Sequence, residues 1–187
     1  MRSLILLLLV CPINSVFAQN EANKIEHKGF LIGVGLGAGT LSLTTNDTTT
    51  LSFSTSLPNI KVGWFINQRV AVLALLPGAN YKFKQKDRGF EGLLIGGQYW
   101  LNDKCWVLGG AGLSFDAAAF YTVDDPKTAE FNTGFPAVAF ALSYQVWSKG
   151  RFSIDVQYRT FYGNVDLANN GNRHGISNKL LLGFNWY

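Results

Sequence analysis

From position 30 onward, bulky apolar residues alternate with small or polar ones at a period of two, the period of β-strands and not of helices. Eight segments carry the pattern: 30–41, 52–66, 69–84, 90–101, 105–121, 134–147, 151–162 and 176–187. In the first, Phe30, Ile32, Val34, Leu36 and Ala38 share one side, and Leu31, Gly33, Gly35, Gly37 and Gly39 share the other. In the seventh, Phe152, Ile154, Val156 and Tyr158 oppose Ser153, Asp155, Gln157 and Arg159. The sixth and eighth repeat it: Phe140, Leu142 and Tyr144 oppose Ala139, Ala141 and Ser143, and Leu180, Leu182, Phe184 and Trp186 oppose Lys179, Leu181, Gly183 and Asn185.

The connectors alternate in length. Asn67-Gln68, Asn102-Asp103-Lys104 and Ser148-Lys149-Gly150 read as tight turns. The Thr-rich 42–51, the charged 85–89, the acidic 122–133 and the Asn/Gly-rich 163–175 read as long polar loops. Short turns at one end and long loops at the other are the rhythm of an up-and-down barrel spanning a bacterial outer membrane, with the turns periplasmic.

Two faces allow two barrels. A soluble carrier would turn the bulky face inward and the polar face to water; a membrane barrel does the reverse. The small residues decide for the second, because a narrow eight-stranded interior has room for little else. Composition agrees: 48% of residues are hydrophobic and only 15% charged, against roughly 25% in soluble domains. Segments one and six put no ionised group on their small face, which is too poor in charge to coat a soluble protein.

The aromatic positions add two girdles. All five tryptophans fall at the turn side (Trp64, Trp100, Trp106, Trp147 and Trp186), and a second set including Phe53, Tyr81, Phe83, Phe90, Phe135 and Phe161 falls at the loop side. The expected fold is therefore all-β: an eight-stranded antiparallel up-and-down transmembrane β-barrel.

Residues 1–18 stand apart. Arg2, the apolar run Leu4 to Val10 and Val16-Phe17-Ala18 read as a secretory signal peptide, leaving 19–187 as one barrel domain. Cys11 falls in that segment, so Cys105 is the lone thiol of the mature chain; it has no partner for a disulfide and reads as a small buried residue.

By parity, the small face carries Lys61, Lys82, Asp116, Asp155, Arg159 and Lys179. Charges inside a narrow barrel must be paired or hydrated. They form either an interior polar network that fills the lumen or the selectivity elements of a thin path, and Arg159 with Asp116 or Asp155 is the expected pair. Other chemistry finds little support. His174 lies near Ser177 in a loop, but no third partner completes a catalytic set. Asp124, Asp125 and Glu130 read as a solvated acidic loop and not a metal site. The glycines from 33 to 39 recur every second residue, which is no phosphate loop. No Lys/Arg cluster marks a nucleic-acid surface, and no cofactor is expected.

The stretch Pro58-Asn59-Ile60-Lys61-Val62-Gly63-Trp64-Phe65-Ile66-Asn67, followed by Arg69-Val70-Ala71-Val72, resembles the small outer-membrane β-barrel proteins of the OmpA/OmpX/OmpW type, as do Arg151 to Tyr162 and the closing Leu182-Gly183-Phe184-Asn185-Trp186-Tyr187. The resemblance implies a barrel in the outer membrane of a Gram-negative bacterium, surrounded by outer-membrane lipid and inserted by the barrel-assembly machinery. A surface ligand of the long loops is left open, and a monomer is expected. Two features depart from the pattern. The chain ends in Tyr187 while Trp186, Phe184 and Leu182 form the outward set, and Pro58, Pro77 and Pro136 fall inside strand segments, where each removes a ladder donor. The expected role is structural or surface-interacting, with a narrow channel for small or apolar solutes as the alternative.

Overall fold

The computed structural model describes residues 27–56, 59–83, 85–119, 130–168 and 171–187; residues 1–18 therefore lie outside it. The strands are β1 (Phe30–Thr45), β2 (Thr48–Thr55), β3 (Asn59–Asn67), β4 (Val70–Leu76), β5 (Gly78–Phe83), β6 (Lys86–Trp100), β7 (Cys105–Ala118), β8 (Asn132–Lys149), β9 (Phe152–Asp166) and β10 (Asn172–Trp186). β2 runs on into β3 and β4 into β5, so ten strands make eight staves of an antiparallel barrel. The ring closes where β1 pairs with β10, from Ile32↔Trp186 to Thr45↔Arg173. A closed ring leaves few unpaired backbone groups, which an apolar surround could not satisfy.

The bulky face points outward, as the alternation requires. Phe53 and Ile95 are each 75% exposed, and Leu36, Phe140, Val156, Leu180 and Phe184 are exposed with them, while Leu31, Leu41, Leu73, Leu94 and Leu108 are buried inside. The interior is narrow enough that glycine is required in places. A Cβ on Gly39 would run into the backbone carbonyl of Asn178 on β10. A Cβ on Gly175 would sit 2.7 Å from Leu43 and 2.8 Å from Phe90, so that position keeps room for the Phe90 ring in the lumen.

Two of the connectors expected to be long are tight hairpins. β1 and β2 pair up to Thr45↔Thr48, and Asn46 and Asp47 turn with φ of 46° and 65°, the left-handed pair of a two-residue hairpin loop. The threonines are strand formers, not loop residues. Phe83 likewise pairs with Lys86, which places Arg88 inside β6. β9 extends to Asp166 and β10 begins at Asn172. Apart from the outward Leu51, these strand ends carry polar residues on their outer side, so they show little bulky outward face to betray them.

The prolines sit where the ladder is already broken. Pro77 separates β4 from β5. Pro136 lies at a bulge, where Gly112↔Ala137 and Ser114↔Gly134 leave Phe135 and Pro136 opposite Leu113 alone. Pro58 lies outside the described residues. These interruptions shape the wall: β3 pairs with β4, but β2 pairs only with β1, and β5 only with β6. Among the described residues no register joins β2 to β5. Toward the loop end, the wall therefore carries a seam.

Candidate functional site in the barrel lumen

At the end where both termini emerge, the lumen holds a layer of rings. Trp100, Phe65 and Tyr187 are buried there, and the segment preceding β1 brings His27 among them. His27 stacks on Trp100 at 4.0 Å between centroids, and Tyr187 meets both Trp100 and Phe65 edge-on. Tyr187 follows the last strand. Burial holds its phenol well above the ordinary tyrosine value, so the hydroxyl stays protonated, 3.3 Å from Ser153 Oγ.

Above this layer lies a polar network centred on Asp155. Its carboxylate accepts from Trp106 Nε1 at 3.1 Å, Asn185 Nδ2 at 2.9 Å and Gln157 Nε2 at 2.7 Å. Gln157 Oε1 accepts from Arg159 Nη2 at 2.7 Å, and Arg159 Nη1 reaches Asn59 Oδ1 at 3.4 Å. Lys61 donates to Gln98 Oε1 at 2.7 Å and stands 3.8 Å above the Trp106 ring. Facing these groups, Leu73, Leu75, Leu94 and Leu108 make an aliphatic wall.

Further up, Lys179 Nζ donates to two carbonyls on separate strands: Thr55 O at the end of β2 (3.0 Å) and Gly78 O at the start of β5 (2.6 Å). Asn59 holds the same Gly78 through its N–H (3.2 Å) and its carbonyl (3.4 Å). Phe90 and Phe161 pack across the lumen above, 5.9 Å apart.

The uppermost layer is built on Asp116, which is fully buried. Its carboxylate accepts from Arg88 Nε at 2.8 Å, from the Tyr81 hydroxyl at 2.8 and 2.9 Å, and from Arg173 Nη1. Arg88 continues to the Glu130 carbonyl at 2.8 Å, and Arg173 to Thr45 Oγ1 at 2.9 Å. Above it a cavity of about 480 Å³ opens at the loop end, bordered by β2, β5 and the head of β10.

Lys61, Asp116, Asp155, Arg159 and Lys179 thus all lie in the interior. Lys82 does not. It is exposed, and its neighbour Tyr81 fills the inward place, because Ala71, Leu73, Leu75, Ala79 and Tyr81 set the inward parity of that stave. Trp100 and Trp106 also depart from expectation. Both are buried in the lumen while Trp64 and Trp147 face outward and Trp186 is half-buried, so the turn-side girdle loses two of its five members. Both keep the inward parity of their own strands, set by Leu94 and Gln98 on β6 and by Leu108, Ser114 and Asp116 on β7, and the ladder between them runs unshifted from Arg88↔Ala118 to Trp100↔Trp106. Tyr81, Phe90 and Phe161 are inside for the same reason of parity.

The expected pairing of Arg159 is indirect, through Gln157 to Asp155, and Asp116 pairs with Arg88 and Arg173 instead. Those two arginines fell in segments read as loops. Extending the alternation through 86–90 and 172–175 would have found them. His174 and Ser177 stand on opposite faces of β10, so they cannot act together. Cys105 is buried and forms no disulfide. Among the described residues, no group of His, Cys, Asp and Glu is placed to hold a metal ion; Asp124 and Asp125 lie outside them. The described interior buries five cationic side chains (Lys61, Arg88, Arg159, Arg173, Lys179) against two carboxylates, Asp116 and Asp155.

No family model matches the chain, and no curated protein matches it. Solved structures do. The chain is similar to Neisserial surface protein A, NspA, at 19% identity over 84% of this chain and 96% of that one, with a TM-score of 0.55. It is also similar to Ail, the attachment invasion locus protein of Yersinia pestis, at 16% identity over 85% of this chain and 99% of that one, with a TM-score of 0.50. The fold is that of the small outer-membrane β-barrel proteins.

Proposed function

We propose that this chain is an outer-membrane protein of a Gram-negative bacterium with a closed lumen and a structural or surface-interacting role. Residues 1–18 direct export and are removed, the barrel-assembly machinery inserts the chain, and both termini face the periplasm. The exposed apolar band and the outward Trp64, Trp147 and Trp186 support the membrane placement. One observation carries the closed lumen: the layers from Phe65, Trp100 and Tyr187 up to Arg88, Asp116 and Arg173 succeed one another along the axis, each buried and each bonded within itself. A conducting path would have to break at least one of them.

The test is single-channel recording of the refolded mature chain in a planar bilayer, with folding verified on the same sample. A silent bilayer is the expected result. Steady, discrete openings would overturn the closed lumen in favour of a narrow channel, and Lys61, Asp155, Arg159 and Lys179 would become its selectivity elements.

A further inference from the structure

A bulge near the turn end of β8 reverses that strand's parity. Up to it, Val138, Phe140, Leu142, Tyr144 and Val146 face outward. Gln145 then pairs with Asp155 and Trp147 with Ile154, so the register passes over Val146 and Trp147 follows it on the outer face. Lys149, two residues on, is exposed as well. Without the bulge, Trp147 and Lys149 would both point into the lumen.

The reversal completes two ranks of outward side chains across four strands. Trp147, Ile154, Phe184 and Val34 stand at one level, each matched to the next by the ladder. Lys149, Phe152, Trp186 and Ile32 stand at the level nearer the turn, matched in the same way. Between the ranks, Ser153 and Asn185 turn their side chains into the barrel and Gly33 has none, so the floor there is backbone. A groove of about 430 Å³ runs over that floor on the outside of the wall, within the range of small-molecule sites, roughly 300–1,000 Å³. Apart from Lys149, every member of the two ranks is apolar.

Positive charge gathers at the turn end of this groove. Gly150, with φ of 60°, and Arg151 form the two-residue loop that joins Lys149 to Phe152. The Arg151 carbonyl accepts from the Tyr187 N–H at 2.9 Å, and its guanidinium lies 4.4 Å from the centre of the Trp186 ring. That stacking holds the cation on the outer side, beside the rank nearer the turn. Among the described residues, no carboxylate pairs with Lys149 or Arg151. A guanidinium stacked on a ring keeps its N–H edge for an oxyanion, and a phosphate matches that edge with two oxygens. The tryptophans put this end of the groove at the depth where headgroups meet hydrocarbon.

We propose that the groove over β8, β9, β10 and β1 is a binding site for an anionic phospholipid of the leaflet at the turn end. The phosphate lies between Lys149 and Arg151, and one acyl chain lies in the groove between the two ranks. The inference rests on the membrane placement proposed above and not on the closed lumen, because the groove is on the outside of the wall.

The experiment places the mature chain in phosphatidylcholine nanodiscs with rising fractions of phosphatidylglycerol and reads amide chemical shifts. Shifts that saturate, confined to 147–154, 184–186 and 32–34, are expected. Lys149→Gln and Arg151→Gln, both at exposed positions, should keep the fold and each weaken the binding about fivefold, the effect of one basic residue at an anionic membrane surface. Arg69→Gln removes a cation from another turn and should change nothing. Val34→Trp fills the groove from the outer face and should abolish the saturable shifts. Inorganic phosphate, the anion without its chains, should leave the spectrum as it was. The site is overturned if the inserted chain shows shifts that rise without saturating, or if Arg69→Gln weakens binding as much as Arg151→Gln, which would mean attraction by rim charge alone. It is overturned equally if inorganic phosphate saturates the same amides, or if Val34→Trp binds like the parent chain. A chain that folds but does not insert into the discs overturns the membrane placement, and the site with it.

Discussion

The imidazole of His27 lies 4.0 Å from the indole of Trp100, the two planes 21° apart. A residue ahead of the first strand thereby packs on one at the end of β6, inside the barrel and not along its rim. The contact turns the segment preceding β1 into part of the lumen's end layer, together with Phe65 and Tyr187.

Removing the centre of that layer should be costly. Trp100→Ala is expected to lower the unfolding free energy by about 3–5 kcal/mol, the range for emptying a buried aromatic site. Trp64→Ala, whose ring faces outward, should cost clearly less. Urea titrations of both variants in lipid vesicles give the comparison; equal losses would contradict the interior position of Trp100.

Asp116 offers a second test. Its carboxylate is the shared acceptor of Arg88, Arg173 and Tyr81. Asp116→Ala leaves two guanidinium groups buried without their counter-charge, a loss of about 3–5 kcal/mol. Adding Arg173→Met to Asp116→Ala should recover part of it by removing one uncompensated cation. A double variant less stable than the single one by the same titration would refute the coupling.

Lys179 ties two lips of the wall through Thr55 and Gly78. Lys179→Met is expected to cost about 1–3 kcal/mol by leaving those carbonyls without a donor. The loss should be local: amide exchange should accelerate in β2 and β5 while the β8–β9 ladder keeps its protection. Uniform acceleration around the ring would mean that Lys179 supports the barrel as a whole and not the seam.

Parity separates the last pair. Lys61 is buried on Gln98 and Trp106, whereas Lys82 is exposed. Lys82→Ala should stay within about 0.5 kcal/mol of the parent, as surface changes do. Lys61→Ala should lose about 1–3 kcal/mol, because Gln98 keeps a buried acceptor with no donor. Thermal unfolding of the two variants side by side measures the difference.

The alternation of bulky and small residues was enough, by itself, to determine a closed β-barrel and to say which face looks outward. Phe152, Ile154, Val156 and Tyr158 lie outside and Ser153, Asp155, Gln157 and Arg159 inside, as their spacing requires. That holds because a strand's side chains can go to only two sides, and a narrow interior accepts only small or bonded ones. Where the chain leaves the apolar band the same signal fades. The Thr-rich hairpin and the strand ends that carry Arg88, on β6, and Arg173, on β10, were hidden for that reason: in water either face may be polar, so alternation no longer marks a strand.

Only the tertiary structure decided what the interior residues do with one another. Cross-strand partners depend on register, and register depends on bulges at Ile66, at Phe135-Pro136 and at Val146, which period-two spacing does not specify. The pairing of Asp116 with Arg88 and Arg173 joins residues 28 and 57 positions apart, a relation made by the closing of the ring and carried by no local pattern. The seam between β2 and β5 has the same origin: both staves break just beyond Ile60↔Leu76, and past that level β2 follows β1 while β5 follows β6, a separation that appears only when they stand side by side.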